Sequence, residues 1–88
     1  MYYVYILKSL VYPDQLYTGY TKNLVHRLKT HNAGGSSHTA KYKPWEMMVS
    51  ISFKDEAAAI SFEKYLKSGS GKVFIEKRLL KPLLKSSD

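Results

Sequence analysis

The sequence predicts a small α+β domain, and three observations carry that reading. The chain opens on a run that is apolar or aromatic on both alternating faces. A second β-rich run follows it across a Pro-Asp turn, and a third, alternating run lies between two stretches with helical spacing. Eighty-eight residues hold one modest core. The expected order is ββαβαα, a three-stranded antiparallel sheet with flanking helices, as a single domain over residues 1–85 followed by a short tail at 86–88.

Each element has a local reason. Tyr2 to Lys8 sets Tyr3, Tyr5 and Leu7 on one face and Tyr2, Val4 and Ile6 on the other, as suits a strand covered on both sides. Pro13-Asp14 turns the chain, and Leu16 to Tyr20 returns it as a hairpin partner. Gly19 within that strand marks a bulge or a close approach to the backbone. Thr21 is the expected N-cap of a helix from Lys22 to about Asn32, with Leu24, Leu28 and His31 on one stripe and Gly34-Gly35 ending it. The polar stretch Gly34–Pro44 reads as a loop. Met47, Val49, Ile51 and Phe53 alternate with polar neighbours as the third strand. Asp55 caps a second helix with an expected apolar stripe of Ala58, Phe62, Tyr65 and Leu66, stopped by Ser68-Gly69-Ser70-Gly71. A basic third helix runs from Lys72 towards Leu80, limited by Pro82.

Composition excludes several classes. No apolar run approaches the ~20 residues of a membrane-spanning helix, so no membrane partner is expected. The absence of cysteine excludes a disulfide framework and thiolate zinc sites, and an intracellular, cytoplasmic setting is the default. There is no phosphate loop, no dinucleotide fingerprint and no HExxH, so no organic cofactor is expected. Fourteen Lys and Arg against seven Asp and Glu give a net charge of +7. No acid lies between Asp14 and Glu46, while Lys22, Arg27, Lys29, Lys41 and Lys43 do. Such a field attracts polyanions, of which nucleic acid is the commonest.

The chemistry then rests on polar groups attached to apolar elements. Tyr5 and Tyr17 lie on adjacent strands, where antiparallel pairing brings their hydroxyls to one face. Arg27 borders the Leu24–Leu28 stripe. Glu63 follows Phe62 on the second helix, and a carboxylate beside a core needs a cationic partner, whether an Arg, a Lys or a metal. His26, His31 and His38 lack the acidic companions of a zinc site and read as surface residues.

Tyr3-Val4-Tyr5-Ile6-Leu7-Lys8-Ser9 followed by Leu16-Tyr17-Thr18-Gly19-Tyr20-Thr21, then Asn23-Leu24, Arg27-Leu28 and His31-Asn32, resembles the GIY-YIG nuclease domain. Lys43-Pro44-Trp45, Glu63-Lys64-Tyr65-Leu66-Lys67-Ser68 and Gly71-Lys72-Val73-Phe74 are similar to the short, single-domain bacterial members of that superfamily. The resemblance implies hydrolysis of DNA phosphodiesters with one divalent cation, Mg²⁺ or Mn²⁺, in repair or recombination. By it, Tyr5 and Tyr17 match the two motif tyrosines, Arg27 the helix arginine, His31 a histidine of many members, and Glu63 the metal-binding glutamate. Gly19, Lys41, Lys43 and Lys72 are the expected substrate contacts.

The residue types suit the chemistry. Charge builds on the phosphorane and the leaving oxygen, so a cation held by Glu63 and a bidentate Arg27 stabilise the transition state. One tyrosine orients or deprotonates water. A free phenol titrates near ~10, so positive charge must stand close by; Tyr5 is expected in that role, with Tyr17 positioning the phosphate. The sequence also departs from the family pattern. The first motif reads Tyr-Val-Tyr, Thr18 replaces isoleucine, and no asparagine follows Glu63, where members carry one near the active centre. Ser68, Ser70 or Lys72 are the candidates to replace it. The alternatives are a DNA-binding module without turnover, a domain that recruits a repair protein, and an Arg27–Glu63 pair that serves structure only.

Overall fold

A computed structural model describes residues 1–80; the expected helix stop at Pro82 and the 85/86 boundary lie outside the described residues. Strand β1 (Tyr2–Ser9) is the centre of the sheet, because both of its faces are apolar and only a central strand can bury both. It pairs antiparallel with β2 (Leu16–Thr21) on one side and β3 (Trp45–Phe53) on the other, giving the order β2-β1-β3. Tyr5 stands opposite Gly19 and Leu7 opposite Tyr17. The pairing with β3 slips between Ile6 and Leu7, where Met48 is the extra residue of a bulge.

The two faces of β1 build two cores. Val4 and Ile6 pack with Ala59, Leu66, Ile75 and Leu80. Tyr5 and Leu7 pack with Trp45, against Leu24, Leu28, Tyr17, Tyr42 and Met47. Each fully buried side chain of the Ile or Leu type contributes roughly 1.5–3 kcal/mol. Helix α1 (Leu24–Asn32) covers the second face and α3 (Glu56–Leu66) the first.

The helix boundaries show where local signals compete. Asn23, not Thr21, caps α1: its Oδ1 accepts the His26 amide at 3.0 Å. Thr21 remains the last strand residue, and its buried hydroxyl accepts the Asn23 amide at 3.1 Å, turning the chain into the cap. At the other end the Gly34 amide donates to the His31 carbonyl and the Gly35 amide to that of Thr30, a Schellman closure in which Gly34 takes φ +80°. The predicted loop contains one helical turn, α2 (Ser37–Ala40), and β3 begins two residues early, at Trp45. Asp55 caps α3 as expected. Its buried stripe, however, is Ala59, Phe62 and Leu66, with Ala58 and Tyr65 turned outward. Ser68 does not merely stop α3. Its hydroxyl accepts the Gly71 amide and caps α4 (Gly69–Phe74), three residues ahead of the predicted start, and a wider π-helical segment continues through Ile75–Leu80.

One side-chain bond ties the layers near the site. The Tyr20 hydroxyl donates to Glu56 at 2.5 Å, joining β2 to the first turn of α3, and that bond pushes the phenol up to about 12.

Candidate active site

The site forms where β2 runs along the open edge of the sheet, because there the helices of both faces can reach one strand. A cavity of about 530 Å³ lies along this edge. Its wall is Asp14 to Thr18 of the β1–β2 hairpin, with His38 of α2 from one layer and Leu66, Lys67, Lys72 and Glu76 from the other.

Tyr5 and Tyr17 meet as the pairing expected, with ring centroids 6.3 Å apart. Their environments differ sharply. Tyr5 is 1% exposed, and its phenol lies directly over Gly19, where an added Cβ would overlap the hydroxyl and ring edge. Gly19 is therefore the close approach the sequence signalled, and the approaching group is the protein's own Tyr5. The Tyr5 hydroxyl meets His31 Nε2 at 3.0 Å, and His31 Nδ1 meets Thr39 Oγ1 at 2.8 Å. Thr39 Oγ1 also faces the Ser36 carbonyl at 3.4 Å, which takes its proton. The consistent chain has Tyr5 donating to Nε2, Nδ1–H donating to Thr39 and Thr39 donating to Ser36. Burial, with a smaller contribution from Arg27, pushes His31 below its ordinary value, so the imidazole is neutral at pH 7. His31 is thus buried and hydrogen-bonded through both ring nitrogens, not a surface residue.

Tyr17 is half-buried and lines the cavity. Its ring lies 4.9 Å from His31 and 6.1 Å from His38 between centroids, and Lys67 Nζ sits 5.9 Å from its centroid. Burial drives the Tyr5 phenol far above the ordinary tyrosine range; Tyr17 and Glu63 add to that shift and Arg27 opposes it. Tyr17, Arg27 and Glu63 thus each lie near enough for their charge to be felt at Tyr5. An Arg27–Glu63 lock is not what forms: Glu63 Oε2 pairs with Lys67 Nζ at 2.9 Å.

Of the other predicted contacts, Lys72 lines the cavity, while Lys41 and Lys43 do not. Asn32 clasps the Trp45 backbone through both ends of its amide and is a structural residue. Ser68 is spent on the α4 cap and on the Tyr65 carbonyl, so Lys72 is the member of the proposed trio that faces the cleft. Lys67 and His38 were missed. The Glu63–Lys67 spacing of four residues was the available signal for the former; for His38 there was none, since α2 has no periodicity to read.

Among the described residues no three His, Asp or Glu side chains gather as a ready-made cation cage. Arg27 and Glu63 do not line the cavity themselves, and its wall sets Lys67 and Lys72 against Asp14 and Glu76. Glu63, half-buried and reached through its bond to Lys67, is still a hard oxygen donor that fits a Mg²⁺-like ion, which keeps most of its waters and shares its shell with substrate phosphate. Glu63 is the residue that would hold it.

A three-stranded sheet with paired tyrosines at a glycine-backed edge, an arginine helix on one face and a glutamate helix on the other is the α+β architecture of a GIY-YIG-type domain. The model of the GIY-YIG catalytic domain matches residues 1–78, and the chain belongs to that family of nucleases. It is 39% identical over 66 residues to a UPF0213 protein of Oceanobacillus iheyensis, covering 74% of each chain. It is 42% identical over 69 residues to "Structure-specific endonuclease subunit SLX1" of Podospora anserina, covering 72% of this chain and 20% of that one. The chain thus spans about a fifth of the SLX1 proteins it matches. The solution NMR structure of a UPF0213 protein from Bacillus halodurans superimposes with a TM-score of 0.54 at 26% identity, covering 99% of this chain and all of that one. No helix among the described residues is long and apolar enough to cross a membrane.

Proposed function

We propose that this protein is a divalent-metal-dependent endonuclease that hydrolyses DNA phosphodiesters in the β2-edge cleft, in repair or recombination. The observation that carries the reading is that Tyr17 shares this cleft with Lys67 and Lys72, while Lys67 is bonded to Glu63. The name of the SLX1 relatives agrees with it.

The exposures favour an exchange of the expected tyrosine roles. Tyr5 is sealed beneath Gly19 and committed to His31, so water cannot reach it. Tyr17 borders the cavity and its hydroxyl orients the attacking water; that water gives its proton to solvent as the new P–O bond forms and the bridging P–O bond breaks, and the leaving oxyanion takes a proton from solvent. Tyr5, His31 and Thr39 hold the Tyr17 ring from behind. Arg27 bridges phosphate oxygens bidentately, and Lys67 and Lys72 neutralise the flanking charge. When bound at Glu63, Mg²⁺ or Mn²⁺ supplies positive charge to the phosphorane and the leaving oxygen. In the free protein the Lys67 ammonium occupies Glu63 and must swing aside for it.

The test is cleavage of supercoiled and branched DNA with Mg²⁺, with Mn²⁺ and with EDTA. EDTA, Glu63→Gln and Tyr17→Phe should each lower the rate by at least about a hundredfold. Tyr5→Phe should cost about tenfold or less, as a lost positioning bond does. Full activity in Tyr17→Phe or in EDTA refutes the mechanism. Salt-sensitive binding without cleavage would leave a binding module, and no binding at all a protein-recruiting domain.

A further inference from the structure

The hairpin that walls the cleft also carries a feature the nuclease reading does not use. Leu10, Val11 and Tyr12 stand consecutively at 57%, 56% and 53% exposure, with Pro13 also exposed. A run of large apolar residues in water is a liability unless something uses it. The tip is not slack. The buried Ser9 hydroxyl accepts the Val11 and Tyr12 amides at 3.2 and 2.9 Å and donates to the Tyr42 carbonyl at 2.6 Å. The Leu10 amide donates to the Pro44 carbonyl at 3.0 Å and the Gln15 amide to that of Tyr12 at 2.8 Å. The apolar side chains are thus held outward on a fastened backbone.

What surrounds the tip indicates what meets it. Tyr12 stands edge-on to Tyr42 with centroids 5.6 Å apart, and Lys41 Nζ lies 5.2 Å from the Tyr42 centroid. The carboxylates in this neighbourhood are Glu46, paired across the sheet with Lys8, and Asp14, which lines the cleft. Lys41 is thus a predicted substrate contact that the fold keeps out of the cleft and sets on the Tyr42 ring that Tyr12 meets, whereas the Lys43 ammonium turns to Gly34 at the end of α1. An exposed aromatic cluster with an ammonium group on it is the chemistry that binds an unstacked nucleobase together with its phosphate.

We infer that the Leu10-Val11-Tyr12 tip is a second DNA-contacting surface that stacks against an unpaired base, so that the chain favours branched or flapped DNA over continuous duplex. The inference rests on the nuclease reading for the identity of the polyanion. Tyr12 and Tyr17 are five residues apart, a reach of at most about 17 Å. At 3.4 Å per base step the stacked base lies within about five steps of the cleft.

The test is fluorescence anisotropy in EDTA, where no cleavage confuses binding, on a forked DNA and on blunt duplex of equal length. A 2-aminopurine at the branch point reports stacking directly. Tyr12→Ser alone, and Leu10→Ser with Val11→Ser and Tyr12→Ser, should lower fork affinity at least tenfold, change duplex affinity less than twofold and abolish the 2-aminopurine response. Tyr12→Trp should restore all three. These side chains are exposed, so melting temperatures should stay within a few degrees of wild type. Equal losses on fork and duplex, or none on either, overturn the inference. A wild-type dimer that the same substitutions convert to a monomer overturns it too, by assigning the tip to a second copy of the chain. Tip-dependent fork binding without cleavage in a parallel Mg²⁺ or Mn²⁺ arm would sink the nuclease reading and leave this one standing. Cleavage with tip-independent binding would do the reverse.

Discussion

Gly19→Ala adds one carbon where the structure has no room for it. The new Cβ would overlap the Tyr5 hydroxyl and ring, with the Cε1 atom at 2.9 Å. A flexible side chain would swing away at small cost. Tyr5 has no such freedom, because its ring is buried among Leu7, Trp45 and Tyr17 and its hydroxyl is held by His31. Overpacking of this kind costs about 1–3 kcal/mol. Displacing the hydroxyl adds about 1 kcal/mol for the lost bond to His31. The expected destabilisation is therefore about 2–4 kcal/mol, at least about 8 °C in melting temperature for a domain of this size. The assay is a thermal or urea melt of wild type, Gly19→Ala, Tyr5→Ala and the double variant. Tyr5→Ala alone should cost about 3–5 kcal/mol for a truncated buried ring. With the ring gone the methyl has space, so the double variant should be more stable than the sum of the two losses predicts, by at least about 1 kcal/mol. A Gly19→Ala melt within 2–3 °C of wild type (roughly half a kcal/mol on the same scale) would refute the packing account. Strict additivity in the cycle would refute it as well.

Two further outcomes follow from the same geometry. His31 is buried neutral, with its folded-state pKa below the ordinary 6.5. The unfolded chain therefore binds the proton more readily, and stability is full above about 6.5 and declines as pH falls through the lowered folded value, with a slope of up to about 1.4 kcal/mol per pH unit. Urea midpoints measured from pH 7.5 to 4.5 should show this decline, and His31→Gln should flatten it; an unchanged slope in the variant refutes the assignment. Lys67→Ala should barely alter stability, by less than about 0.5 kcal/mol, since a half-exposed pair four residues apart is worth little. The same change should lower DNA cleavage at least about tenfold by removing a charge beside the phosphorane. A wild-type cleavage rate would remove Lys67 from the site.

Much of the fold was legible because its signals are local. β1 announces burial on both faces within eight residues, Asp55 lies directly before the helix it caps, and Gly34 supplies the left-handed residue that closes α1. The failures also have local causes. α2 is a single turn and too short to leave a period. Ala57-Ala58-Ala59 gives no phase, so the apolar stripe of α3 was displaced by one residue from the true Ala59–Phe62–Leu66 line. Ser68-Gly69 reads equally as the end of one helix and the cap of the next, and both are true of it.

By itself the sequence determined which groups are proposed to take part: two tyrosines, Arg27 and Glu63, on a strand pair and two helices. Periodicity and capping act over a few residues, and they sufficed for that. Which phenol meets water was decided only by tertiary structure. Gly19 admits the Tyr5 ring over the backbone, His31 and Thr39 take its proton into a closed chain, and β2 at the sheet edge leaves Tyr17 to the cleft. Lys67 likewise enters the site only because α3 ends beside that edge. Burial is a property of the whole packed chain, and no short window of sequence contains it.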